Sequence, residues 1–484
     1  MSDQPSIKKN FILKILYEFL AIATPLITAP YVSRILGADG VGIYSYAQSC
    51  MTYFTMFAVL GTNNYGMREI ARCRNNKEEY SKKFWEIELL TVCTSTICII
   101  AWLVLTVFSG SYKPYFIALI PMLFASMFDI SWFYTGHERV GYTVFWNAVC
   151  KIAGLICIFT FIKTRNDLVL YIFLNSVILM LGNLSMWIFL PKMLVKIDAR
   201  ALNIRQHFKE TLIYFIPTIA TSIYTVLDKT LIGIITNDSY QNGYYEQATK
   251  IIKIAKTVCF FALNSVMGAR ISFLFAEHKI NEIKIRIKKS LNLISFLSFG
   301  AMFGIIAIAD EFVPLFFGKG YEPVISLLII MSPLIPIIGI SNCIGTHYYA
   351  PVGKTKIASY YMIAGSVCNL ILNIVLIPKL GATGAVIGSI AAELIITILF
   401  VHFDDSYVTW KDLLSTSWKK ILAGMIMILG ISLLQNLIEV TGIVGLFLKV
   451  LFGATLYMIV LFILRDETIK QVGAMVNKRM GCIK

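Results

Sequence analysis

The residues of this sequence best suited to bind a charged molecule lie in the apolar segment 244–269. On a helix with about 100° between residues, five of its polar side chains fall within about 40° of one line: Glu246, Lys250, Lys253, Thr257 and Asn264. Lys256 lies about 80° to the side of that line. Ammonium groups form strong hydrogen bonds with phosphate oxygens, so this stripe predicts a site for an anionic group such as a pyrophosphate. The alternative is a helix at the membrane interface whose lysines extend to the headgroups.

Other ionisable residues lie inside or at the ends of apolar segments. We expect them to line the same water-filled cavity, because a charged side chain in lipid costs about 2.5–3.5 kcal/mol. The further basic candidates for contact with an anionic substrate are Arg34, Lys151, Lys229 and Arg270. The acidic candidates for binding a coupling cation, H⁺ or Na⁺, are in falling order of preference Asp228, Asp129, Glu393 and Glu18. Two alternatives stay open, since Asp129 could neutralise Lys151 and Glu18 could pair with Lys14 on its own helix.

The cysteines give no sign of a metal site or a disulfide framework. All ten are scattered along the chain, mostly within apolar segments, without a Cys-x-x-Cys motif or a Cys/His cluster. Buried cysteines of this kind act as small apolar side chains. We therefore expect no metal and no cofactor other than the coupling ion.

The elements that position these charges are membrane-spanning helices. Of 484 residues, 57% are hydrophobic and 15% are charged, whereas soluble domains average about 25% charged residues. A spanning helix needs about 20 apolar residues, and lipid offers no partner to unpaired backbone groups, so each long apolar segment is predicted to be a helix. Fourteen segments qualify: 11–33, 41–62, 84–108, 115–135, 141–162, 168–190, 210–235, 244–269, 291–317, 322–349, 357–377, 381–403, 418–437 and 442–464.

The basic residues predict the orientation of these helices. Loops on the side of the N-terminus, taken with the adjoining ends of the segments, hold 31 Lys and Arg residues, and the alternate loops hold 6. Because basic loops stay in the cytoplasm, both termini are predicted to be cytoplasmic. The net charge of +15 is then explained by topology and by attraction to anionic headgroups, and no nucleic-acid partner is expected.

A weak internal repeat predicts two related halves. Gly42–Ala47 and Gly243–Ala248 share the pattern Gly-x-Tyr-x-x-Ala, and each is followed 26 or 27 residues later by an arginine, Arg68 or Arg270. The two segments have the same predicted orientation, which is typical of parallel repeats about an axis along the membrane normal. The predicted domains are a six-helix bundle in 1–200, a second six-helix bundle in 201–404, and two additional helices with a cytoplasmic tail in 405–484.

Seven blocks of residues closely resemble bacterial polysaccharide repeat-unit flippases. In chain order they are Pro25–Ser45, Gly61–Ala71, Phe128–Glu138, Asp228–Gly233, Gly243–Ile251, Phe316–Pro323 and Asn373–Ala385. The resemblance extends over about four-fifths of the chain. It places the sequence in the superfamily that also contains multidrug-and-toxin extruders and lipid II flippases.

The resemblance implies a fold and a function. The fold is an all-α membrane protein of about 14 helices, with two six-helix bundles enclosing a V-shaped cavity that opens alternately to each side. The function is transport of an oligosaccharide on undecaprenyl diphosphate from the cytoplasmic to the outer leaflet of the bacterial cell membrane, for capsule or O-antigen. The expected partners are the lipid-linked oligosaccharide, membrane lipids, and the polymerase and glycosyltransferases of the pathway. Lipid II flippases carry arginines in the cavity, where this sequence has lysines.

Three other functions stay open as alternatives. A multidrug or organic-cation exporter of the same fold would favour carboxylates and aromatic side chains over a lysine stripe. A flippase for lipid II or a teichuronic-type cargo would differ only in the sugar. A membrane polymerase is the least favoured, because such enzymes need a large outer loop, and Asn237–Asn242 is among the longest outer loops here. We therefore predict a transporter and not an enzyme.

Overall fold

A computed structural model describes residues 7–277, 279–405, 407–437 and 442–469, with side chains described throughout except at 7–18, 217, 218, 220–225, 261–270, 272 and 276. These ranges are almost entirely helical and contain no strand. The predicted all-α membrane fold is confirmed. The chain divides into two compact units, Met1–Gly243 and Tyr244–Lys484.

Both units consist of long helices interspersed with short ones. In the described part of the first unit they are α1 (Ile7–Val59), α2 (Thr62–Cys73), α3 (Lys77–Phe108), α4 (Lys113–Ala118), α5 (Ile120–Met127), α6 (Ser131–Gly136), α7 (Val140–Phe161), α8 (Leu168–Ser185), α9 (Leu190–Met193) and α10 (Arg205–Thr236). The described helices that follow are α11 (Ser239–Ala276), α12 (Ile280–Phe317), α13 (Pro323–Met331), α14 (Leu334–Ile344), α15 (Thr355–Leu380), α16 (Ala382–His402), α17 (Trp410–Leu437) and α18 (Gly442–Ile463).

Eleven helical stretches in the described residues are long and apolar enough to span a membrane. The first of them, Phe19–Cys73, contains residues 19–33 of the first predicted segment and all of the second, 41–62. The predicted segments 210–235 and 244–269 lie within α10 and α11, parts of whose side chains are not described. The multi-pass topology is confirmed, and the total of fourteen spans stays a prediction.

The first two predicted segments correspond to two helices within α1 that meet at a bend at Gly37. Gly37 has φ 69° and ψ 174°, which lie outside the helical range. Glycine adopts positive φ without steric cost, so the helix can change direction here and continue. The sequence analysis treated residues 34–40 as a loop, because the glycine-containing stretch interrupts the apolar run.

Two of the aromatic and apolar cores in the described part of the first unit contain Trp102 and Phe84, and α1 packs against α3, α5, α7 and α10. In one core, the Trp102 indole donates a hydrogen bond of 3.0 Å to the Phe116 carbonyl and stacks on its ring. In the other, Phe84 of α3 stacks on Trp132 of α6. Burial of such large rings stabilises helix contacts, and the indole N–H needs the partner that it finds.

The last two helices pack on α12. Two lysines inside these helices have acidic partners in the second unit: Lys420 of α17 pairs with Asp466, and Lys449 of α18 pairs with Glu311 of α12. Buried charges are tolerated only when they are paired. These pairs attach the two helices that the sequence analysis treated as additional.

A polar cluster lies where α14 ends in a π-helical turn, Gly345–Tyr349. The Lys354 ammonium donates a hydrogen bond of 2.5 Å to Asp405, and the Tyr348 hydroxyl donates to the same carboxylate oxygen. The hydrogen bond from Lys354, followed by that from Tyr348, holds the pKa of Asp405 below its usual value. The cluster fastens the segment after α16 to the turn after α14.

The two compact units do not coincide with the predicted domains. Helix α10 lies in the first unit, whereas the sequence analysis placed it in the second six-helix bundle. The predicted domains were defined by the order of the spans and the internal repeat, whereas the compact units are defined by which residues pack together. The domain boundaries at residues 200 and 404 stay predictions.

Candidate functional site

The polar stripe predicted for segment 244–269 lies on one continuous helix, α11. Near its start Glu246 is buried, and its carboxylate lies 3.4 Å from the Lys250 ammonium. The two residues are one helical turn apart, so the pairing follows from their spacing. The first lysine of the stripe therefore has a carboxylate partner within its own helix.

Lys256 has an acidic neighbour on another helix. Its ammonium interacts electrostatically with Glu393 of α16. Glu393 is buried and Lys256 is half-buried. A buried carboxylate needs a cation or a proton nearby, and the Lys256 ammonium supplies positive charge to Glu393.

Lys253 differs from the two lysines beside it. It is exposed, and in the described part of the chain its ammonium has no hydrogen bond and no ion pair. It is also close enough to Lys256 for the two like charges to repel. The sequence analysis placed only Lys256 to the side of the stripe, and the structure gives both Lys250 and Lys256 carboxylate neighbours. An anion at this face would be attracted first to Lys253.

A buried amide network adjoins Glu393 and was missed by the sequence analysis. Asn373 donates a hydrogen bond of 3.1 Å to Asn369, and Asn369 donates one of 3.4 Å to the Ser389 hydroxyl on α16. Both asparagines are fully buried, and Ser389 is one turn before Glu393. The available signal was a pair of asparagines one turn apart in an apolar segment, because buried amides need each other as partners.

In the first unit, Asp228 lies at the packed surface between α10 and α1. It is buried and interacts electrostatically with Tyr53 of α1. Two residues further on, the Thr230 hydroxyl donates a hydrogen bond of 2.9 Å to Ser49. The preferred candidate for cation coupling, Asp228, therefore lies among polar contacts between α10 and α1. Lys229 beside it is half-buried.

Asp129 lies between α5 and α6 with two hydrogen-bond donors. The Asn63 amide donates one of 3.4 Å and the Ser131 backbone N–H one of 3.0 Å. The carboxyl of Glu88 on α3 is also near enough to interact with it electrostatically. Glu88 is buried and was not selected from the sequence, because it lies close to the basic end of its segment, where charges are common.

The remaining candidates are dispersed. Arg34 is exposed near the bend of α1, and Lys151 is half-buried in α7. The side chains of Arg270 and Glu18 lie outside the described residues. The described candidates thus form two groups, one around α11 and α16 and another in the helices of the first unit.

The two glycine motifs of the internal repeat touch each other. A methyl group on Gly42 would overlap the Ser239 carbonyl, and one on Gly243 would overlap the Ala38 carbonyl. The Ser239 hydroxyl donates a hydrogen bond to Asp39 in the same contact. Only glycine permits this approach, so the beginning of α11 is held against the bend of α1.

Residues 7–268 match the family of polysaccharide biosynthesis proteins. The chain belongs to that family. This membership confirms the predicted place among the polysaccharide flippases of the exporter superfamily. The matched residues cover the described part of the first unit and α11 as far as residue 268.

Individual relatives are consistent with the polysaccharide biosynthesis family. The chain is 25% identical over 409 residues, covering 83% of this chain and 97% of the relative, to a putative O-antigen transporter of Escherichia coli (strain K12). It is 26% identical to a probable low-salt glycan biosynthesis flippase, Agl15, of Haloferax volcanii, covering 53% of each chain. Among solved structures, lipid II flippase MurJ in an inward closed conformation is similar, with a TM-score of 0.70, 16% identity, and 94% and 98% of the two chains covered.

Proposed function

We propose that the protein is a flippase that moves undecaprenyl-diphosphate-linked oligosaccharide repeat units from the cytoplasmic to the outer leaflet by alternating access. Membership of the polysaccharide biosynthesis family supports the class of cargo. The observation that carries the proposal is the exposed Lys253 ammonium between two lysines with carboxylate neighbours. Phosphate oxygens are the natural partners of such a group.

Binding of the diphosphate is expected to rearrange the ion pairs around Lys253. A phosphate that approaches Lys253 also attracts Lys256 and competes with Glu393 for that ammonium. Once the Glu393 carboxylate has lost its contact with Lys256, it favours uptake of H⁺ or Na⁺, since its buried charge must be neutralised. Substrate binding at α11 and cation binding at α16 are coupled in this way, with Asp228, Asp129 and Glu18 as further candidate cation sites.

Alternating access requires one end of the cavity to close while the other opens. The tight contact between Gly42 and Gly243, with the hydrogen bond from Ser239 to Asp39, is suited to such closure. By the distribution of basic loops, this contact lies on the outer side of the bacterial cell membrane and both termini are cytoplasmic. The sugars would occupy the aqueous cavity while the polyprenyl chain stays in lipid. The polymerase and the glycosyltransferases of the pathway are the proposed partners.

Replacing Lys253 tests the proposal. In a strain that depends on this protein for its surface polysaccharide, Lys253→Ala should reduce surface polysaccharide to background, and Lys253→Arg should retain most of it because the charge is kept. The matched control is Lys356→Ala at an exposed lysine of α15. Normal polysaccharide from Lys253→Ala at wild-type protein levels would overturn the assignment of the anion site. Export of a cationic dye that depends on Asp228 would favour a drug exporter instead.

A further inference from the structure

Glu88 is the most isolated buried charge-bearing group in the described part of the first unit. Its side chain is 1% exposed within α3, a helix that crosses the membrane. Among the residues that the structure describes, neither of its carboxyl oxygens has a hydrogen-bond partner. An ionised carboxylate in this position would be strongly destabilised, whereas a neutral carboxylic acid is tolerated at much lower cost.

The surroundings of Glu88 contain a second carboxyl group. Asp129 interacts with it electrostatically, and the Asp129 carboxylate accepts hydrogen bonds from the Asn63 amide and the Ser131 N–H. Two carboxyl groups that interact electrostatically at a buried site repel each other when both are ionised, so without a counter-charge one of them holds a proton. The burial of Glu88 and the lack of a hydrogen-bond partner for its carboxyl in the described residues assign the proton to Glu88.

Other charged side chains near α3 are engaged elsewhere. Glu86, on the same helix, accepts a hydrogen bond of 2.9 Å from His207 of α10 when that ring nitrogen carries the proton. Glu69 of α2 is paired with Arg72 and with Lys83. Helix α5 carries no charged residue.

The more distant groups on the packed elements do not neutralise Glu88 either. On α1, Asp39 binds Ser239, and Arg34 is exposed near the bend. On α4, Lys113 is exposed. Asp129 is therefore the charged group that interacts electrostatically with Glu88 in the described residues.

We propose that Glu88 and Asp129 form a site that binds one proton, and that this proton is coupled to the transport cycle in addition to the cation at Glu393. This inference deepens the proposed function, and the role of the proton in transport rests on that function. Loss of the proton leaves two adjacent negative charges, which repel α3 from the junction of α5 and α6. Uptake of the proton removes the repulsion and lets these helices pack as observed.

The ligand is a proton and not a sodium ion because the surrounding oxygens do not converge on Glu88. The Thr91 hydroxyl donates to the Thr62 hydroxyl at 3.1 Å, and Asn63 directs its N–H group to Asp129. A sodium site needs several oxygen ligands around one point. No group of three His, Cys, Asp or Glu residues suited to hold a metal ion occurs in the described residues.

The site can be tested without a transport substrate, by pH-difference infrared spectroscopy of the full-length protein in lipid nanodiscs. At neutral pH the wild type should show the C=O stretching band of a protonated carboxylic acid that Glu88→Gln lacks. The control Glu78→Gln, at an exposed position of the same helix, should keep the band. In Asp129→Asn the band should persist but disappear at a lower pH than in the wild type, because a neighbouring negative charge is gone.

Glutamine is neutral and similar in size to a protonated glutamate, so Glu88→Gln should fold with an unchanged thermal midpoint. A band that persists in this variant would overturn the proposal, and so would a band that Na⁺ removes at constant pH. Thermal destabilisation of Glu88→Gln would also contradict it, because an ionised carboxylate with an essential role would then be indicated.

Transport measurements separate this proposal from the proposed function. Glu88→Gln should reduce surface polysaccharide at least tenfold while purified protein binds undecaprenyl diphosphate as tightly as the wild type. Lys253→Ala should keep the infrared band. If the band assigns to Glu88 but polysaccharide export is normal in Lys253→Ala, the proton site stands and the substrate assignment fails. If export depends on Lys253 but the Glu88 band is missing, the substrate assignment stands and the proton site fails.

Discussion

The Lys420 ammonium lies 2.7 Å from the side-chain oxygen of Asn292, and the lysine is fully buried. It also lies 3.2 Å from the Asp466 carboxylate. Asn292 in turn donates a hydrogen bond of 3.0 Å to Glu467. This network joins α12 to α17 and to the segment after α18, so Lys420 anchors both C-terminal helices.

Lys420→Ala should destabilise the protein by about 3–5 kcal/mol, because it leaves Asp466 buried without its cation. The measurement is the free energy of unfolding in detergent micelles, or the thermal midpoint if unfolding is irreversible. Lys419→Ala is the control, since Lys419 donates only a partly exposed hydrogen bond of 3.3 Å to the Arg465 carbonyl. Equal losses in the two variants would show that the buried network has no special importance.

A methyl group at Gly42 should prevent the close contact between the repeat motifs. Gly42→Ala would overlap the Ser239 carbonyl, so the bend of α1 and the beginning of α11 must separate. We expect surface polysaccharide to fall at least tenfold, and a cysteine at position 239 to react faster with a membrane-impermeant thiol reagent. Gly304→Ala in α12 is the control, because nothing lies within 4 Å of the added carbon. Unchanged labelling in Gly42→Ala would exclude this contact as a gate.

Removing the charge of Glu393 should strengthen anion binding at α11. Glu393→Gln takes away the carboxylate that competes for Lys256, and the affinity for undecaprenyl diphosphate should rise about tenfold, equivalent to about 1.4 kcal/mol. Binding can be measured on purified protein at two salt concentrations, since an ionic contact weakens with salt. Export should nevertheless fall if Glu393 must exchange cations. Weaker binding in this variant would place the phosphate elsewhere.

The Asp405 cluster predicts a small acid-sensitive contribution to stability. The pKa of Asp405 is lowered in the folded protein by its hydrogen bonds with Lys354 and Tyr348. Its stabilising effect is therefore fully present above about pH 3.9, the value for an unperturbed aspartate, and is lost as the pH falls through the lower folded value. Because the side chain is exposed, the effect should be below about 1 kcal/mol. The thermal midpoints of wild type and Asp405→Asn should differ near neutral pH and converge in acid; divergence in acid would contradict this assignment.

The sequence predicted the helices better than it predicted the environment of their charges. Apolar length reveals a spanning helix because lipid imposes that length on every span. The pairing of Lys250 with Glu246 was also accessible, since both lie on one helix. Whether Glu88 has a hydrogen-bond partner depends on how helices distant in the chain pack around it. For the same reason the partners of Lys256 and Lys420 could not be read from spacing alone.

Helix α11 contains 38 residues, so at 1.5 Å per residue it is about 57 Å long. The hydrocarbon layer of a membrane is about 30 Å thick. Because Lys253 lies near the middle of this helix, a tilt of about 10° about the substrate would displace its two ends by about 4 to 6 Å. A fluorescent probe attached at the end of α11, beyond the headgroups, would then report each turnover as it happens.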